Sequence, residues 1–95
     1  MTYMIVGGTP RAAVLRKLEI KVGGTWEWVE TRKVRQVPPV VQKLNQGKID
    51  HIIILNRFCS HAVIDLIQKG VSADKASRVH FLEKGYGLRE IMEVL

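Results

Sequence analysis

The run Ile52-Ile53-Ile54-Leu55 constrains the fold of this chain more than any other segment, because no polar residue interrupts it. A strand with one face in water alternates apolar and polar side chains, whereas a strand covered on both faces does not. A β-branched run of this kind is the pattern of a central parallel strand, which needs helices above and below it. It is far too short to cross a bilayer.

The flanking segments supply the other elements. Tyr3-Met4-Ile5-Val6 is β-prone and stops at Gly7-Gly8. Thr9 and Pro10 suit the cap and first position of a helix whose inner face is Val14, Leu15, Leu18 and Val22, closed by Gly23-Gly24. Thr25 to Thr31 is a second strand with Trp26 and Trp28 on one face and Glu27 on the other. Pro38-Pro39 suits the start of a second helix, with Val40, Val41 and Leu44 inward and Gly47 as its stop. After the apolar strand, Asn56 to Ser60 is a loop, and Ser60 can cap a third helix with Val63, Leu66 and Ile67 inward. Residues 71–78 hold a turn or a helical turn, Val79 to Leu82 is a fourth strand, and Leu88, Ile91, Met92 and Leu95 mark a last helix.

This βαβαβαβα order predicts one α/β domain over residues 1–95, a three-layer sandwich of the Rossmann-like or flavodoxin-like kind. Right-handed crossovers favour a four-stranded parallel sheet in the order 2-1-3-4, with the first and last helices on one face and the middle two on the other. A hydrophobic content of 46% and a charged content of 25% argue against disorder. No secretion signal is read at the N-terminus, and Cys59, the one cysteine, cannot form an internal disulfide, so a cytoplasmic location is expected.

Charge is unevenly placed. Residues 1–49 hold nine Lys/Arg against three Glu, and residues 50–95 hold six against six, so the net charge of +6 sits in the first half, densest at Arg32, Lys33 and Arg35. Such an excess concentrates anions near one part of the surface. Nucleic acid, a nucleotide or an acidic protein each fits, and so does plain solubility.

Open parallel sheets bind ligands beyond the carboxyl ends of the strands, where the winding reverses. Here that point lies between the first and third strands, so the loops Gly7-Gly8-Thr9 and Asn56 to His61 meet there. Gly7, Gly8 and Thr9 precede a helix N-terminus and suit a phosphate held by backbone N–H groups; a tight turn explains them equally. Arg32 and Lys84 would add charge, Gly85 and Gly87 a second turn on the same rim, and Asn56, Ser60 and His61 directional hydrogen bonds. Cys59 reads more readily as a packing residue than as a reactive thiol. His51, His61 and His80 lack metal-ligand spacing, so no metal is expected, and no cofactor is implied. Trp26 and Trp28 on an edge strand suit either core packing or the covered edge of a homodimer.

The segments Ile5-Val6-Gly7-Gly8, the apolar third strand, Ser60-His61 and Gly85-Tyr86-Gly87-Leu88, in this order and spacing, carry a likeness over nearly the whole chain. In them the chain resembles a bacterial and phage-associated family labelled domain of unknown function 2325. Members often have an acidic residue in the loop before Ser-His, where this chain has Asn56-Arg57. The resemblance implies a compact Rossmann-like fold and no particular activity. The leading expectation is a non-enzymatic binding domain for a phosphate-containing small ligand such as a nucleotide, acting as sensor or sequestering protein. The alternatives are nucleic-acid binding through the basic first half and a phosphodiesterase-type hydrolase that uses His61.

Overall fold

The computed structural model describes residues 1–30, 35, 37–85 and 87–95. The chain runs β1 (Thr2–Val6), α1 (Ala12–Lys21), β2 (Thr25–Val29), α2 (Val37–Asn45), β3 (His51–Leu55), a 3-10 turn (Asn56–Phe58), α3 (His61–Gly70), a second 3-10 stretch (Ala73–Arg78), β4 (Val79–Leu82) and α4 (Leu88–Val94). All strand pairs are parallel and the sheet order is β2-β1-β3-β4, the expected Rossmann-like α/β architecture.

The pleat sorts side chains into two cores. Met4, Val6, Val29, Ile52 and Ile54 face α2 and α3, where Val37, Val40, Val41, Leu44, Val63 and Ile67 meet them. Tyr3, Ile5, Trp26, Ile53 and Leu55 face α1 and α4, against Leu18 and Ile91. Ile52 to Leu55 are fully buried, as a central strand requires. Each such side chain stabilises by about 1.5–3 kcal/mol as an upper estimate, so the middle of the sheet outweighs any single polar contact at its rim.

The edge strand β2 turns both tryptophans inward. The Trp26 indole N–H donates to the Gly23 carbonyl at 3.0 Å, and that of Trp28 to the Gly7 carbonyl at 2.6 Å. Both rings pack in the α1/α4 layer, which leaves β2 backbone, and not aromatic surface, at that edge of the sheet. The strand closes at Val29, ahead of the expected Thr31, a residue outside the described set.

Several helix faces differ from the expectation for physical reasons. α1 begins at Ala12, not at Pro10: Thr9 and Pro10 are exposed, and the cap position falls to Arg11, whose backbone is extended (φ −119°, ψ 104°). With Arg11 extended, Pro10 cannot stand inside the first helical turn. Val22 lies beyond the helix and is exposed, leaving Leu18 as the buried residue of α1. In α3, Val63 and Ile67 are buried, but Leu66 is 44% exposed and Ile64 packs inward instead. The apolar stripe broadens around the helix from Val63 and Ile67 toward Ile64, and Leu66 lies on the opposite flank. In α4, Ile91 is buried while Met92 and Leu95 are exposed, and Val94 packs in their place. α2 starts at Val37, so Pro38 and Pro39 occupy a first turn where an N–H has no helical acceptor.

Candidate functional site

β1 and β3 are neighbours although the chain visits β2 between them, so their carboxyl ends form the point where winding reverses. Two turns leave the sheet there: Gly7-Gly8 after β1 and Asn56–Phe58 after β3.

Gly7 is buried and prolongs the sheet. Its N–H donates to the Val29 carbonyl at 3.0 Å and its carbonyl accepts the Trp28 indole N–H. Its backbone (φ +120°) and the space around it both demand glycine, because a Cβ would stand 2.9 Å from Cys59 Sγ and 3.1 Å from Leu55 Cβ. The expectation that Gly7 offers its N–H to a ligand is therefore corrected: the amide is held by β2. Gly8 (φ +67°) turns the chain outward, and the Phe58 ring lies against it.

Between the two turns is a cleft of about 250 Å³ lined by Gly8, Thr9, Arg11 and Phe58. Arg11 immediately precedes the first turn of α1: the Val14 and Leu15 N–H groups donate to its carbonyl at 3.1 Å, the Ala12 and Ala13 amides stand ahead of any helical acceptor, and the side chain at the cap position does not satisfy them. A cation, a helix N-terminus and an aromatic residue with 36% exposure thus adjoin one hollow. Wider hollows lie on the helical flanks. The groove between α2 and α3 (about 320 Å³) is lined by Pro38, Val41, Gln42, Asn45, Leu66 and Gly70, with no charged group among them. A second, on the α1/α4 flank, holds Lys21 with Arg89 and Glu93, which pair with each other at 3.3 Å.

The other anticipated residues divide. Asn56 sits at the start of the β3 turn, with its Oδ1 buried and without a hydrogen-bond partner among the described residues. Such an acceptor calls for a donor, not for an anion. Ser60 caps α3 as expected, its Oγ accepting the Val63 N–H at 3.3 Å. His61 is exposed on the first turn, and no carboxylate pairs with it among the described residues. Neither Ser60 nor His61 lines the cleft. Cys59 Sγ donates weakly to the Val6 carbonyl at 3.5 Å, and burial pushes its thiol pKa up, the behaviour of a packing residue.

Lys84 is exposed beyond β4, two strand spacings (about 10 Å) from β1. The Gly85 and Gly87 turn is already occupied by a carboxylate. Glu90 folds back so that a Cβ on Gly87 would lie 2.5 Å from its Oε2, and one on Gly85 would lie 3.4 Å from its Cγ. An acidic group at the start of α4 suits the helix dipole and opposes a second anion there. Arg32, with its neighbour Lys33, and Tyr86 lie outside the described residues.

Sequence reading missed Arg11 and Phe58. The helix start assigned to Thr9-Pro10 concealed Arg11, which becomes a cleft residue only because α1 begins later. Phe58 had no signal beyond an aromatic side chain in a polar loop. Among the described residues, the loops on this side of the sheet carry exposed Arg11, Arg35, Arg57 and Lys84, against Glu30 and Glu83. No group of three metal-ligating side chains assembles among the described residues, and no helix among them is long and apolar enough to cross a membrane. Comparison with known proteins gives no match to a family model, a curated protein or a solved structure.

Proposed function

We propose that the cleft at the ends of β1 and β3 binds a phosphate-bearing small molecule of nucleotide type, and that the protein senses or sequesters it without reacting with it. The observation that carries this reading is the lining of Gly8, Thr9, Arg11 and Phe58 around one hollow. Arg11 and the first-turn amides of α1 would hold the phosphate, by charge-assisted hydrogen bonds and by the positive end of the helix dipole. Phe58, 36% exposed in the cleft lining, would contact the base. Binding without chemistry is supported by His61, which meets no carboxylate among the described residues, and by Cys59, whose thiol burial keeps protonated.

A thermal-shift panel of nucleotides, cyclic dinucleotides and inorganic phosphate tests the proposal. A true ligand at 100 times its Kd adds about 2.7 kcal/mol, which raises Tm by on the order of 10 °C in a domain of this size. Arg11→Ala is expected to abolish that shift. An equal shift in Arg11→Ala, or no shift with any phosphate compound, removes the proposal.

A second reading, nucleic-acid binding, is favoured by exposed Arg11, Arg16, Lys17, Lys21 and Arg35 in the basic first half. It predicts an affinity that falls steeply with salt. Charge reversal at Arg16 and Lys17, both away from the cleft lining, would weaken it and leave nucleotide binding intact. Kinship with the family labelled domain of unknown function 2325, and a homodimer joined through the open β2 edge, are further parts of the proposal. Sedimentation of the purified chain decides the second of these.

A further inference from the structure

At the amino ends of the strands, opposite the cleft, four rings form a row across the whole sheet. Trp26 of β2 stacks on Tyr3 of β1 with centroids 4.2 Å apart and planes 9° apart. Tyr3 stacks on His51 of β3 at 5.3 Å and 12°, and His51 lies 5.1 Å from His80 of β4 at 34°. The two histidines also meet edge to edge, His51 Nδ1 to His80 Nε2, at 2.9 Å. At that distance one nitrogen must carry hydrogen and the other a lone pair.

We propose that His51 and His80 form an acid-opened latch that ties edge strand β4 to the rest of the sheet and releases when both rings are protonated. With both rings neutral, one N–H donates to the facing nitrogen. A first proton keeps the bond, as N–H⁺ facing a lone pair, but sets a charge on partly buried rings whose surroundings disfavour it. A second proton leaves no lone pair between them and sets two like charges at contact, so the bond breaks. β4 has four residues and one strand neighbour, so it is the strand least able to absorb that loss.

The surroundings decide the direction. Asp50 favours the charged His51, but its carboxylate already accepts the Thr2 N–H at 2.7 Å. Arg78 opposes the charge on His51, and Tyr3 presents a neutral ring from β1. α1 and α4 cover this face. On the α1/α4 flank Lys21, Arg89 and Glu93 line one hollow, with Arg89 paired to Glu93, and Glu90 lies against Gly85 and Gly87. Burial lowers the pKa of both histidines, with Arg78 adding to the effect on His51 and His51 to that on His80. The unfolded chain therefore takes up protons first as pH falls. The latch's contribution is fully present above about pH 6.5, the unfolded value, and is lost as pH drops through the lower folded values.

Urea midpoints at pH 7.5 and 5.0, with EDTA present, test the latch in the wild type and in a His51→Asn/His80→Gln double variant. Asn and Gln place amide groups near the two facing nitrogens and keep a hydrogen bond that does not titrate. The wild-type midpoint is expected to fall between the two pH values, with amide signals of Val79–Leu82 lost before those of Ile52–Leu55. The double variant is expected to lose at least half of that fall. An undiminished fall in the double variant overturns the proposal. If the double variant does not fold, ring-proton titration of the wild type decides. Two coupled steps below pH 6.5 support the latch, and a step at or above 6.5 from either ring overturns it.

Discussion

Replacing Gly7 by alanine probes the geometry on which the cleft rests. Gly7 is buried, has φ +120°, and both its backbone polar groups are engaged by β2. An added Cβ meets Cys59 Sγ at 2.9 Å, Leu55 Cβ at 3.1 Å and the Leu55 carbonyl oxygen at 3.2 Å. Holding a side chain in that backbone region costs about 1–3 kcal/mol, and overpacking a dense site costs about 1–3 kcal/mol more. Together these reach about 2–6 kcal/mol, a large share of the roughly 5–15 kcal/mol that stabilises a typical domain. With a urea slope of about 1 kcal/mol per molar, the unfolding midpoint should fall by about 2 M or more. Cys59→Ala removes the nearest clash, so in the double mutant the loss should be partly recovered, with a coupling of about 0.5 kcal/mol or more. Gly8→Ala is the control: its φ is +67° but its Cβ would meet Phe58 at an ordinary 3.5 Å, so the backbone term of about 1–2 kcal/mol stands alone. If Gly7→Ala is no more destabilising than Gly8→Ala, the close packing of Cys59 and Leu55 around Gly7 is not what fixes glycine there.

Ser60→Ala removes the cap of α3 and should destabilise by about 1 kcal/mol in denaturant titration, with Ser60→Asp largely restoring it. Leu66→Gln should change stability by no more than about 0.5 kcal/mol, whereas Ile67→Ala, at a fully buried position, should cost about 2–5 kcal/mol by the same titration. Cys59 should react with a thiol-specific disulfide reagent at pH 7.5 more slowly in the folded chain than in urea, since burial raises its pKa.

Strand order and core were legible because they follow from hydrophobic pattern. Ile52 to Leu55 has the pattern of a central strand, and four strands joined by right-handed helical crossovers leave few arrangements. The Ser60 cap was legible because a cap is chosen within one helical turn. The misplaced residues depended on neighbours that sequence does not supply. Whether Leu66 or Ile64 completes the inner face of α3 depends on which flank its neighbours cover. Arg11 joins the cleft only because the chain leaves Gly8 in a direction that delays α1. Gly7 reads as a ligand turn until Val29 and Trp28 are seen to hold its backbone. The His51–His80 bond joins residues 29 positions apart on adjacent strands, and depends on ring orientations that no periodicity encodes.

The most direct test of the cleft is a nitrogen–proton correlation titration of the labelled protein with a nucleoside triphosphate and with inorganic pyrophosphate. Saturable shifts are expected, centred on the backbone amides of Gly8, Thr9, Arg11, Ala12 and Ala13, with the Phe58 amide moving for the nucleotide and less for pyrophosphate. Shifts centred on the Gly85–Gly87 turn or the α2–α3 groove, with the Gly8 to Ala13 amides unmoved, would contradict it.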